Sequence, residues 1–426
     1  MSLESTDITI DFVPELNPEC KVVPLDTKYE GGRFLLTIGS RRHIVNRKVE
    51  HFLSLIDGSN SIADITQELN ATPGNDFLVT NSDTIKLLKK VVIENGMLNS
   101  IEHSDKILKK SKPSSEELKK ISLLGSKQIA YFSSFLKIAF LPQIVFCVMF
   151  LGFISRVIFY FAVMEPSYID PDLIFSQFAI FLLISIISLF FHEFGHASAL
   201  HYYKIKDFTI GVGIYLFMPV MYADVSRAWE LKRGQRCVVN LGGVYFDLII
   251  SLILFVFAYY SDSMILLLAI LFIDIKTIYN LIPFIKTDGY WVFSDATGIP
   301  NLQKNSHRLM IDFPQAIFKG RSFHFPSDMS LTSRVILSVY TFLKSVFYIY
   351  LVYILSEISF WMLIDIFNWM TPILTGSEKM LEKIRFSSLE FADIWMFFAK
   401  ALILQFTITS IYKIVRATAL QLRLRN

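Results

Sequence analysis

The chain has 426 residues, of which 53% are hydrophobic and 19% charged, and Phe alone occurs 39 times. Mean hydropathy is +0.46, which excludes a disordered chain and weighs against a wholly soluble globule. The net charge is only +3 and no domain is strongly basic, so nucleic acid is not the expected main partner. Cys20, Cys147 and Cys237 are odd in number and far apart, and form neither a disulfide framework nor a Cys-based zinc site. The opening MSLESTDITIDF is polar and acidic, so no cleavable signal peptide is expected there.

Residues 1–100 read as a small soluble module. RFLLTI and RHIV are short β-like runs joined by Gly39-Ser40, a hairpin signal. Asn46 can cap a helix that carries Val49, Phe52, Leu53 and Ile56 on one face, and Asp57-Gly58 ends it as a turn. Ser61 opens a second helix, and a third runs from about Asn81 to Glu94, stopped by Gly96. Two strands and three helices in this order predict a winged-helix-like α+β domain. Residues 101–136 are a lysine-rich connector, read as a solvated linker beside the membrane that also meets anionic lipid.

From residue 137 to 426, apolar runs long enough to cross a bilayer recur; about 20 residues are needed. The expected spans are 137–162, 174–198, 238–260, 263–285, 335–356 and 391–412. Residues 357–372 stay apolar but carry Glu357 and Asp365, and are expected as an interfacial or re-entrant helix, with a seventh span as the alternative. Lys and Arg concentrate in 101–136, 201–237, 295–334 and the tail, whereas 163–173 has none. That alternation predicts a polytopic helical protein of the cytoplasmic (inner) membrane, with six spans and both termini in the cytoplasm.

The sharpest chemical signal is His192-Glu193-Phe194-Gly195-His196, at the end of an apolar run. Residues four apart share a helix face, so both imidazoles can hold one metal ion. Glu193 then lies beside the open coordination position, where it can take a proton from water and later deliver it to a leaving amine. Two histidines and a glutamate at membrane depth are costly, and so point to function. Zinc needs a third protein ligand. Asp288 is the candidate, in Asn280-Leu-Ile-Pro283-Phe-Ile-Lys-Thr-Asp288-Gly289. By the predicted topology both motifs reach the cytoplasmic end of their spans. Pro283 breaks the helix before Asp288. Asn280 either donates to a developing oxyanion or bonds the carbonyls that Pro283 frees. His201, nine residues beyond His192, falls on the opposite face and is not a ligand.

HEFGH followed by NLIPFIKTDG two spans later resembles the paired motifs of the site-2 protease family of intramembrane zinc metalloproteases. The likeness covers 174–295. It implies Zn2+ held by His192, His196 and Asp288, with Glu193 as general base. DGYW at 288–291, with MPVMYADVSRAWELKRGQR at 218–236, is similar to the peptide zinc metalloprotease subgroup, which resembles maturation proteases for ribosomally made peptides. The family's middle-span Gly-Pro and Asn correspond here to Gly242-Gly243 and Asp247, so the Pro is missing and Asp stands for Asn. Asp247 and Lys276 lie at similar depths on adjacent spans, and read either as a buried ion pair or as a proton or substrate contact; Asp274 is a third charge inside a span. Residues 208–223 read as a β-hairpin dipping into the membrane, whose edge could hold substrate as an added strand.

RFLLTIGSRRHIVNRKVEHFLSLIDGSNSIADITQEL resembles the PqqD-like peptide-recognition fold over roughly 30–100. That resemblance implies capture of a leader peptide on the sheet edge. A DNA-binding winged helix, using Arg41, Arg42, Arg47 and Lys48, is the alternative. The chain therefore reads as a membrane zinc endopeptidase that cuts a peptide precursor or membrane-embedded peptide near the cytoplasmic face. The alternatives are a regulatory intramembrane protease acting on a membrane-anchored signalling protein, and a non-proteolytic exporter or immunity protein.

Overall fold

The structure, a computed structural model, describes residues 9–27, 32–38, 41–71, 78–93, 97–98, 120–163, 171–215, 218–261, 263–319, 325 and 329–374. Two compact units divide the chain: residues 1–304 with 324–336, and residues 305–323 with 337–426.

The first unit begins with an antiparallel sheet of β1 (Lys21–Leu25), β2 (Arg33–Ile38) and β3 (Arg41–Asn46), in the order β1-β2-β3. β2 and β3 are the expected hairpin. β1 was not foreseen, because Pro24 argues against a strand; it is tolerated here because β1 is an edge, with Pro24 opposite Phe34. α1 (Arg47–Ser54), α2 (Ile62–Ala71) and α3 (Asn81–Leu87, continued to Ile93 with a wider turn) cover the sheet. Phe52, Leu53 and Ile56 meet Leu36, Ile62, Ile65, Leu88 and Val92 in one core. Burying each such side chain contributes roughly 1.5–3 kcal/mol. Asn46 accepts from the Val49 N–H at 3.0 Å and caps α1 as expected, worth about 1 kcal/mol. Ser61 and Asp64 bond reciprocally at the start of α2, and Thr80 and Asp83 do the same at α3.

Residues 101–119 of the expected connector lie outside the described residues. Residues 120–136 form a strand, β4 (Lys120–Leu124), and a helix, α4 (Ser126–Leu136). β4 joins β5 (Ile210–Tyr215) and β6 (Met218–Ala223) in a second antiparallel sheet, ordered β4-β5-β6. β5 and β6 are the hairpin foreseen at 208–223. β4 was missed because it is only five residues long and sits in a lysine-rich stretch.

Four helices of the described residues are long and apolar enough to cross a membrane. They lie at Pro142–Phe161, Gln177–Tyr202, Arg233–Ser261 and Leu331–Ile364. The first contains α5 (Pro142–Ile158), the second is most of α6 (Pro171–Tyr202), the third is α7 (Arg233–Ser261) and the fourth belongs to α11 (Leu331–Leu374). They coincide with four of the six expected spans. The run at 263–285 is α8 (Met264–Asn280), an apolar helix of 17 residues that ends before Pro283. The run at 391–412 lies outside the described residues. Residues 357–372 do not form a separate re-entrant helix: α11 runs unbroken through them for 44 residues, since no Gly or Pro interrupts it before Pro372. After α8 come α9 (Asp288–Thr297) and α10 (Leu302–Lys319).

α6 and α7 cross where Gly195 faces Gly242. A Cβ on either glycine would strike the other's carbonyl. Lipid gives apolar helices little reason to associate, so such close backbone contact supplies the packing that holds them together. The span Pro142–Phe161 exposes Phe146, Phe153 and Phe161, as a helix able to face lipid would. Its one charge, Arg156, points inward to Asp274 of α8 at 2.8 Å and also bonds Ser251 of α7. Tyr160 donates to the same carboxylate at 3.0 Å. Asp274 therefore has a paired, hydrogen-bonded place inside the bundle.

Candidate metal centre

His192 and His196 project from one face of α6, with ring centroids 5.0 Å apart. Asp288 is the first residue of α9. The loop from Leu281 to Thr287, with Pro283 inside it, swings it back onto that face. Its Oδ2 lies 3.0 Å from His192 Nε2 and 3.4 Å from His196 Nε2. These three groups form the one cluster among the described residues able to hold a metal ion. Asp288 is the least buried of the three, at 21% side-chain exposure, so the cluster opens on its side.

The outer ring nitrogens fix what the inner ones present. His196 Nδ1 lies 2.8 Å from the Val239 carbonyl, which can only accept, so Nδ1 carries the hydrogen. His192 Nδ1 lies 2.8 Å from Asp247 Oδ2, and a carboxylate again calls for a donor. Each neutral imidazole then aims the Nε2 lone pair inward, at a carboxylate oxygen. Two imidazole acceptors at 3.0 and 3.4 Å from one carboxylate oxygen, all three within 4.8 Å of one another, repel unless a cation sits among them. Ligands about 2.0–2.1 Å from a tetrahedral ion stand roughly 3.3 Å apart, close to these separations. The donor set thus fits a divalent ion such as zinc.

Asp247 is fully buried, and its other oxygen meets Lys276 Nζ at 2.7 Å. Thr277 donates to Oδ2 at 3.3 Å. The Lys276 ammonium also donates to the Ser188 carbonyl at 3.3 Å and hydroxyl at 3.2 Å. The ion pair foreseen from matched depth is present, and it stands directly behind His192. Such carboxylate–histidine contacts fix the tautomer and raise ligand basicity.

α7 supplies a continuous stripe to this site. Arg236, Asn240, Gly243, Asp247 and Ser251 recur at helical spacing, and a Cβ at Gly243 would collide with both imidazoles. The stripe was legible as small and polar residues on one face of an apolar helix, but only Asp247 stood out as a charge inside a span.

Glu193 is half-buried beside the cluster and lies against the Ala223 backbone amide, at the end of β6. Asn280 is the last residue of α8 and half-buried; the described hydrogen bonds place no side-chain contact from it to the three ligands. His201 is not a ligand here: it bonds Ser133 through Nδ1 at 2.9 Å and ties α6 to α4.

No family model matches the chain, and no solved structure matches it. Over 118 residues the chain is 25% identical to "Putative peptide zinc metalloprotease protein YydH" of Bacillus subtilis (strain 168). That stretch is 27% of this chain and 46% of the relative, so the similarity spans less than half of the curated protein. The chain is thus distantly similar to a protein named as a zinc metalloprotease, and it carries a buried His192-His196-Asp288 group able to bind a metal.

Proposed function

We propose that the chain is a membrane-embedded zinc endopeptidase that hydrolyses a peptide precursor or a membrane-embedded peptide near the cytoplasmic face. One observation carries this reading: two imidazole lone pairs and a carboxylate oxygen converge on a point, with Glu193 one residue from the first ligand. The relative's printed name agrees with it. The resemblance of its two motifs to those of site-2 proteases supports a protease of that type.

His192, His196 and Asp288 would hold the ion. Zinc bound there would supply Lewis-acid polarisation of the scissile carbonyl and bring a water's pKa toward about 7. Asp247 and the Val239 carbonyl keep both imidazoles in the ligating tautomer. Glu193 accepts a proton from the attacking water and returns it to the leaving amine. β6 is an outer strand of its sheet and ends beside Glu193, so an extended peptide added to its free edge would be led toward the reacting atoms. Extension matters because a helical substrate shields its peptide bonds. Asn280 is kept as a candidate oxyanion donor that closes on bound substrate.

The N-terminal module would recruit substrate through a sheet edge, as a PqqD-like domain captures a leader. The apolar helices support a membrane location, which we read as the cytoplasmic membrane. Both termini would face the cytoplasm, which protease access to residues 1–100 in sealed inverted vesicles tests. The functional test is Glu193→Gln, which keeps the side chain's size. Metal binding should persist while cleavage of an unfolded peptide falls by about 10²–10⁴-fold. Undiminished cleavage by this variant would end the protease reading.

A further inference from the structure

The N-terminal module reaches the metal centre through a chain of polar contacts that a passive tether would not need. Asp26 follows directly on β1. Its Oδ2 accepts the backbone N–H of Arg233 at 3.1 Å, and its Oδ1 pairs with Arg233 Nε at 3.0 Å. Arg233 is the first residue of α7, so Asp26 caps that helix from 207 positions away in the chain. The carboxylate also lies where the helix dipole favours negative charge. The backbone bond from Arg233, above all, holds the Asp26 carboxyl below its ordinary range.

One turn on, Arg236 continues the path. It donates to the Asp26 backbone carbonyl at 3.1 Å, to the Leu231 carbonyl at 2.9 Å and to Asp295 at 2.6 Å. Asn240 donates to the other Asp295 oxygen at 2.9 Å. Arg236, Asn240 and Asp295 are all buried. Asp295 sits two turns along α9 from Asp288, on the same helical face. The path therefore runs from the end of β1, through the first turn of α7, to the helix that presents the metal carboxylate.

We propose that Asp26 is a positioning residue for the metal centre: its carboxylate caps α7 from the N-terminal module, seating the turn in which Arg236 meets the Asp26 carbonyl, and through Arg236 and Asp295 it holds α9 so that Asp288 faces the two histidines. The N-terminal module is then a structural part of the site as well as a recruitment device. The inference rests on the zinc reading above.

The test uses the full chain in detergent, loaded with zinc, and reads zinc release into a chromogenic chelator. Asp26→Ala should speed release about fivefold, the scale of a lost N-cap. Asp26→Asn keeps a capping oxygen and should stay within about twofold of wild type. Asp295→Asn should speed release by about tenfold or more, as loss of a supporting contact does at other metal sites. The double variant Asp26→Ala/Asp295→Asn should release zinc no faster than Asp295→Asn alone, because the path is already cut. Wild-type protein that holds zinc, with Asp26→Ala indistinguishable from it, would overturn this inference and leave the zinc reading standing. So would single effects that multiply in the double variant. Wild-type protein that holds no zinc would overturn both.

Discussion

At Gly243 the missing side chain is what admits two imidazoles. A methyl group there would overlap His192 and His196 together, and α7 cannot back away because Gly242 is already against Gly195. Gly243→Ala should therefore fold, since the clash is confined to two side chains, yet lower zinc affinity about 10–100-fold, as displaced ligand support does elsewhere. Isothermal titration with zinc reads this, and unchanged affinity would show that the rings have room to move. At this scale the sequence was most informative where chemistry is costly. Histidines and acids in apolar helices stand out, so His192, Glu193, His196 and Asp288 were visible as a set, and three of them meet. The support behind them was harder to see. Val239 contributes only a carbonyl, Gly243 only an absence, and Arg236 and Asp295 lie in stretches where charges are common. Asp247 was visible as a charge, but its bond to His192 joins residues 55 apart and follows from how two helices cross.

The elements of the N-terminal module were legible where a capping residue precedes an amphipathic run, as at Asn46 and Ser61; the Thr80 cap of the third helix emerged only in the structure. The Asp64 and Asp83 carboxyls, bonded chiefly by the Ser61 and Thr80 hydroxyls, lie below their ordinary value of 3.8. A depressed carboxyl stabilises the fold above its unfolded value, about 3.9, and that contribution is lost as pH falls through the lower folded value. Both helix starts should thus hold at neutral pH and loosen only below about pH 4. Pepsin cleavage between residues 61 and 93 should rise on acidification across that window. Asp64→Asn/Asp83→Asn, which does not titrate, should show a smaller rise; an equal rise would place the acid sensitivity elsewhere. Elements without such signals were missed or misjudged. β1 carries a proline that only its edge position tolerates. β4 is short and follows a lysine-rich stretch, and is a strand because β5 pairs with it. In α11, Glu357 and Asp365 suggested a break, but helical continuity depends on the backbone, and no residue there disrupts it.

For the whole molecule, apolar helices, inward-facing charges and one docked soluble module form a consistent design. Three buried or half-buried charge pairs join these helices: Arg156 with Asp274, Lys276 with Asp247, Arg236 with Asp295. Breaking such a pair by removing one partner is far costlier than never having it, so these pairs fix how α5, α7, α8 and α9 assemble. What composition and hydropathy could supply was the class of molecule and most of its apolar helices. What they could not supply was the contact between Asp26 and Arg233, since it depends on how a soluble domain seats on a helix end. The central claim is that this assembly exists to hold one divalent ion between α6 and α9. The most direct test is zinc per chain, by elemental mass spectrometry, in full-length protein purified without chelator and in its Asp288→Ala variant. The account predicts one zinc per wild-type chain and a large loss in the variant. Wild-type protein free of zinc, or a variant that retains a full equivalent, would contradict it.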